Sequence, residues 1–201
     1  VRIREAIWDA SSIRRCSGAP GNRRAPCAFS QMGVAVCPCD GRLTAEDYQP
    51  VVAQVAKAIT SAPGLLLEPL AARVAVLAGA QRFEEAAWVR DRYQALARAI
   101  ERRRAWTTLE RAGRIWAESS DGAACIDHGR LVAAWTRGES PPLIPPYVAP
   151  EAHRQVPPSV AAAEEAHLVW RWLTSERVRL LESTHPLDSP ARPVPVLSLA
   201  A

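Results

Sequence analysis

Between Cys16 and Gly41 the chain carries four cysteines (Cys16, Cys27, Cys37 and Cys39) among the breakers Gly18, Pro20, Gly21, Pro26, Gly33, Pro38 and Gly41. Glycine and proline at that density exclude a continuous helix or strand. What orders such a loop is side-chain chemistry, and four thiolates are enough for a zinc ion or an iron–sulfur cluster. The spacing is Cys-x10-Cys-x9-Cys-x-Cys. It lacks the paired Cys-x2–4-Cys knuckles usual for zinc, and wide spacing with one close pair suits an iron–sulfur site somewhat better. Four unligated cysteines in a basic loop is the alternative. Arg14, Arg15, Arg23, Arg24 and Arg42 surround them. They offset thiolate charge and are able to meet phosphates, so Arg14, Arg15, Arg23 and Arg24 are candidate phosphate contacts.

Composition narrows the class. Of 201 residues, 48% are hydrophobic and 23% charged, which fits a chain able to bury a core. A net charge of +4 is a mild tilt toward anionic partners. Lys57 is the only lysine among 25 basic residues. That bias is what a GC-rich genome produces, although arginine also suits bidentate phosphate contacts. The chain shows no charged leader with an apolar run and cleavage site, and no apolar stretch long enough to span a bilayer. The expectation is a cytoplasmic protein, where clustered cysteines are ligands more often than disulfides. The fifth, Cys125, falls in a predicted strand as a small core residue. Val1 in place of methionine points to an unusual start codon or to a chain that begins partway through a longer protein.

Periodicity predicts an α+β fold, predominantly α: a cysteine-rich loop, a helical hairpin, then a small region with antiparallel strands. Residues 1 to about 15 read as the tail of a helix packed on something upstream. Thr44 caps a helix carrying Tyr48, Val51, Val52, Val55 and Ile59. A second helix, about Leu66 to Leu77, has Leu66, Leu70, Val74 and Leu77 on one stripe, with Gly79 as its C-terminal cap. A third, about Phe83 to Trp106, has Glu84 and Glu85 in its first turn and Arg102, Arg103 and Arg104 in its last, which complements the helix dipole. These two form an antiparallel hairpin. Short strands follow at Arg114–Glu118, Ala123–Asp127 and Leu131–Thr136, with turn signals at Asp121-Gly122 and His128-Gly129. The expected organisation is 1–43 (end of a preceding domain and cysteine-rich segment), 44–106 (helical region, hairpin at 66–106), 107–137 (strands), 138–158 (proline-rich linker) and 159–201. The last segment holds a helix at Ser159–Ser175, a strand at Val178–Glu182 and a frayed end.

The segments Arg14-Arg15-Cys16-Ser17, Arg24-Ala25-Pro26-Cys27, Gln31-Met32-Gly33 and Cys37-Pro38-Cys39 resemble the UvrC family, the nuclease subunit of bacterial nucleotide excision repair. UvrC carries a similar run between its GIY-YIG nuclease domain and its UVR motif, with four cysteines that ligate an iron–sulfur cluster. The resemblance implies Cys16, Cys27, Cys37 and Cys39 as ligands of a 4Fe–4S cluster. Cys16, Cys27 and Cys39 match family positions, with a one-residue gap after Cys16. The family's third cysteine stands four residues before the last, where this chain has Ala35, and Cys37 substitutes for it. Altered loop geometry, zinc in place of the cluster, or loss of metal are the ways to accommodate that shift.

Phe83-Glu84-x-Ala86-Ala87-x-x-Arg90-Asp91 resembles the core of the UVR motif shared by UvrC and UvrB. Phe83 is expected to pin the turn, Ala86 and Ala87 to let the helices approach, and Tyr93, Leu96 and Ile100 to continue the seam. An ordinary hairpin buried in its own chain would share that pattern. In the family the hairpin pairs with the equivalent hairpin of UvrB. The resemblance therefore implies a UvrB-type partner at Phe83, Glu84, Ala86, Ala87, Arg90 and Asp91. It covers residues 1–106.

No catalytic constellation stands in the chain. Asp127-His128 sits at a turn without a nameable nucleophile, and Trp106, Trp116, Trp135, Trp170 and Trp172, which do not interleave with a dense basic patch, read as core or interface packing rather than as base-stacking platforms. The expectation is a fragment of a UvrC-like DNA repair protein, non-catalytic by itself, docking a UvrB-type partner and lying near DNA. One alternative is part of a fused nuclease whose DEDD exonuclease or GIY-YIG endonuclease domains lie upstream. The chain end resembles the tail of an actinobacterial-type protein of that kind. Another is a degenerate remnant without function.

Overall fold

The computed structural model describes residues 1–17, 19–22, 24–144, 158–188, 194, 195 and 197. The fold is α+β and mostly helical, and it divides into two compact units, Val1–Glu101 with Arg192–Ala201 and Arg102–Ala191. Most of the proline-rich linker (145–157), Arg23 and most of the expected frayed end lie outside the described residues.

In the first unit, α1 (Arg2–Ala10) leads into the cysteine loop, which holds α2 (Ala28–Gln31) and a 3-10 turn at Pro38–Asp40. Three longer helices follow: α3 (Ala45–Thr60), α4 (Gly64–Gly79) and α5 (Phe83–Ala112). Thr44 starts α3 with a reciprocal capping box. Its hydroxyl accepts from the Asp47 amide, and the Asp47 carboxylate accepts from the Thr44 amide. The stripe Leu66, Leu70, Val74 and Leu77 of α4 is buried as its spacing predicts. It packs with Val55 and Ala58 of α3 and with Ala86, Val89, Tyr93, Leu96 and Ile100 of α5. Each fully buried leucine there contributes about 2 kcal/mol.

Three expectations change in this unit. The short α1 packs onto its own chain: Ala6 is fully buried in the same cluster, and Arg92 of α5 holds Glu5 at 3.2 Å and Asp9 at 2.6 Å. Gly79 is the last helical residue of α4, Ala80 is its C-cap, and Gln81 after it closes the helix. Gln81 takes the left-handed conformation (φ 60°) while its amide bonds Ala78 and the Arg82 amide bonds Leu77, both at 2.9 Å. That is a Schellman closure, which glycine fits best but another residue can fill at a strain cost. The chain end is not wholly frayed. Val194 and Leu197 pack against this core, and the Tyr93 hydroxyl donates to the Pro195 carbonyl.

In the second unit, a sheet of four antiparallel strands runs in the order β3-β2-β1-β4: β1 (Arg114–Glu118), β2 (Gly122–Asp127), β3 (Arg130–Thr136) and β4 (Arg179–Ser183). The last part of α5 and α6 (Val160–Leu173, capped by Ser159) meet Ile115, Ala124 and Ile126 in one apolar cluster. Helix α5 continues past Trp106 because Leu109 and Ala112 are fully buried there. It stops where Gly113 turns left-handed, so the arginine triad is not its last turn. Gly122 belongs to β2 and not to the turn before it. A Cβ there would lie 2.2 Å from the Trp135 carbonyl oxygen, so only glycine fits. His128 and Gly129 both have positive φ (48° and 82°), the geometry of a two-residue hairpin turn. Asp127 is buried in an ion pair with Arg114 at 2.7 Å. Among the described residues no single helix is long and apolar enough to cross a membrane.

Candidate metal centre and docking hairpin

The loop brings all four predicted sulfur donors together. The Sγ atoms of Cys16, Cys27, Cys37 and Cys39 lie within 4.8 Å of one another, and the last three residues are buried. Each position has a local cause. Cys27 caps α2, with the Ser30 and Gln31 amides bonding its carbonyl at 3.0 Å. Cys37 precedes the 3-10 turn, Cys39 sits within it, and Pro38 starts it with a ring that pre-sets φ. Val36 donates to the Ser12 carbonyl at 2.8 Å, which draws Cys37 toward Cys16. All four are free thiols, and the Cys16–Cys37 separation of 3.1 Å exceeds the roughly 2.05 Å of a disulfide.

This donor set fits a single tetrahedral ion. Zn–S bonds of about 2.3 Å place four sulfurs about 3.8 Å apart. In a 4Fe–4S cubane the cysteine sulfurs stand outside the metal atoms, roughly 6 Å apart, and the loop is drawn in more tightly than that. The thiols are electrostatically uneven. The Ser30 amide lowers Cys27 to about 7 against the opposing effect of burial. Burial, with the Cys16 and Cys39 thiols beside it, pushes Cys37 up to about 12. A cation bound by Cys16, Cys27, Cys37 and Cys39 would supply the field that keeps such a set deprotonated together.

The basic candidates separate. Arg14 donates to the Cys16 sulfur at 3.7 Å, and Arg15 donates to the Trp8 carbonyl. Arg24 is exposed, and Arg23 lies outside the described residues.

The hairpin candidates also separate by face. Ala86 is buried against α4, while Ala87, Arg90 and Asp91 are half-buried. Arg90 and Asp91 approach at 3.4 Å, and Arg2 reaches Asp91 at 3.7 Å. Glu84 is exposed. Phe83 does not pin the turn: it is 66% exposed. Backbone bonds around Gln81 and the Arg82–Glu85 pair at 2.6 Å already close the turn, so the ring is left in solvent. Val76 and Trp88 are likewise exposed, at 71% and 63%. Arg92, the tie between α1 and α5, was missed by sequence reasoning. Its signal is acids four apart on α1, Glu5 and Asp9, which need a cation.

No protein-family model matches the chain, and no solved structure matches it. Curated relatives do. The UvrABC system protein C of Nitratidesulfovibrio vulgaris is 34% identical over 102 residues, 50% of this chain and 15% of that protein. That of Thermus thermophilus is 38% identical over 96 residues, 47% of this chain and 16% of that protein. A Mycobacterium tuberculosis protein, described by its name as a putative bifunctional exonuclease/endonuclease, is 27% identical over 214 residues. That alignment takes in 94% of this chain and 33% of the relative. The chain thus spans a third or less of each of these relatives.

Proposed function

We propose that the chain is the partner-docking and DNA-positioning part of a UvrC-like nucleotide excision repair protein, non-catalytic by itself. The observation that carries this reading is the gathering of four sulfurs at Cys16, Cys27, Cys37 and Cys39, in the segment whose motifs resemble UvrC. The centre holds one zinc-type ion, ligated by those four cysteines. The ion cross-links a loop that has no backbone ladder of its own, and it sets Arg14, Arg15, Arg23 and Arg24 near DNA. The exposure of Phe83 and Trp88 supports docking of a UvrB-type hairpin on the outer side of α5. Glu84 and Arg90 add charge pairing there, while Ala86 and Ala87 hold the helices close. Phe83→Ala or Arg90→Glu is expected to weaken capture by an immobilised UvrB-type hairpin at least tenfold. If the wild-type chain is not captured, the docking role is wrong.

The alignment of the mycobacterial relative with almost the whole chain favours a second reading, in which this segment belongs to a fused nuclease whose catalytic domains precede Val1. Sequencing upstream of the Val1 codon decides it: an open frame with DEDD acids or a GIY-YIG motif supports the fusion, and stops contradict it.

A further inference from the structure

One face of the second unit's sheet carries chemistry that the readings above do not use. Strand pleating sends alternate residues to opposite faces. Ile115, Ala124 and Ile126 turn into the apolar cluster. Trp116, next to Ile115, is therefore on the other face, and so is Trp135, which pairs with Ala123. The two indoles meet edge to face, with centroids 5.8 Å apart at 64°. Both are half-buried and neither belongs to the core cluster, unlike Trp106, Trp170 and Trp172. Core packing, expected as one reading of all five tryptophans, does not describe these two. Ala123 and Cys125 lie between the indoles in the register, and Cys125 is fully buried, so the accessible part of this face is at Trp135 and Ala123.

At one end of this face is a cavity of about 470 Å³, walled by Trp135, Glu118, Arg137, Arg177, Arg179 and Glu139. Its volume falls in the range of small-ligand pockets. Arg179 is neutralised by Glu118 at 2.5 Å, and Glu139 accepts from the Thr136 amide at 2.8 Å. The guanidinium groups of Arg137 and Arg177 have no ion-pair partner among the described residues. The cavity thus offers an aromatic wall beside two uncommitted planar cations.

We propose that this face binds single-stranded nucleic acid, with an unpaired base against Trp135 and the flanking phosphates on Arg137 and Arg177. Guanidinium forks match phosphate oxygens two at a time. Aromatic side chains on an open sheet face accept splayed bases of any sequence. A duplex keeps its bases stacked and withholds the surface that the indole would meet. This site lies wholly in the second unit and rests on neither the metal centre nor the hairpin.

The test titrates the full, metal-loaded chain into a fluorescein-labelled oligo(dT) of about 15 nucleotides, reading anisotropy and tryptophan emission. Saturable, salt-sensitive binding with quenched emission is expected. Trp135→Ala should weaken it about tenfold, the scale of one lost base stack, and Trp135→Phe should restore most of it. The double change Arg137→Glu with Arg177→Glu, on exposed side chains, should weaken binding and flatten its salt dependence. Wild-type affinity in both the Trp135→Ala and the double-arginine variants, with unchanged circular dichroism, would overturn the proposal. Equal affinity for a duplex of the same length would overturn it too. A parallel Arg14→Glu/Arg24→Glu variant separates the two DNA readings. If it alone abolishes binding, the sheet face is wrong and the loop stands; if it leaves binding intact, the sheet face stands and the loop contact fails.

Discussion

Gln81 holds a backbone conformation that costs a side-chain-bearing residue about 1 kcal/mol. It is exposed and closes the α4 end through its amide, so its side chain adds no packing. Gln81→Gly is expected to stabilise the protein by about 0.5–1 kcal/mol, read as a higher urea midpoint at constant slope. Asp127 is a contrasting case. Its carboxylate is buried and balances the Arg114 guanidinium, which is itself three-quarters enclosed. Asp127→Ala leaves that cation uncompensated and should cost about 3 kcal/mol, measured by chemical denaturation. A loss below about 0.5 kcal/mol would contradict that reading of the pair. The sequence marks Asp127 only as a residue beside a turn. The pairing depends on β1–β2 register, which sets Arg114 opposite Asp127 and has no local signature.

At the scale of elements, the starts of α3 and α6 were legible because capping by Thr44 and Ser159 is local chemistry within four residues. Thr44 and Asp47 satisfy each other's amides, and Thr44→Ala should cost about 1 kcal/mol. The hydroxyl and amide of Thr44 hold the Asp47 carboxyl below the usual carboxylate range. A folded-state pKa below the unfolded one means a stabilising contribution that is present above the unfolded value near 3.9. It is lost as pH falls through the lower folded value. A plot of stability against acid pH should therefore be shallower for Thr44→Ala than for the wild type. Helix ends were less legible. The arginine triad at 102–104 has the charge order of a last turn, yet α5 runs on to Ala112 because burial of Leu109 outweighs that weak electrostatic preference. The last strand was placed within one residue, but its pairing with β1 rather than with a sequence neighbour is set by long-range packing.

Over the whole molecule, each unit has its own apolar cluster, and the sulfur centre belongs only to the first. The sulfurs were the most legible part of the candidate site, because breakers exclude a continuous helix or strand through the loop and leave its order to side-chain chemistry. Which group they could hold was not legible: spacing along the chain does not set the separation of sulfurs in space, and a single ion and a four-iron cluster ask for different separations. Metal analysis of the intact chain, purified without oxygen, tests the account most directly. One equivalent of a zinc-type ion without acid-labile sulfide is predicted, falling to none in Cys39→Ser. Four equivalents of iron with matching sulfide would contradict the single-ion centre, and a folded protein free of metal would contradict the centre altogether.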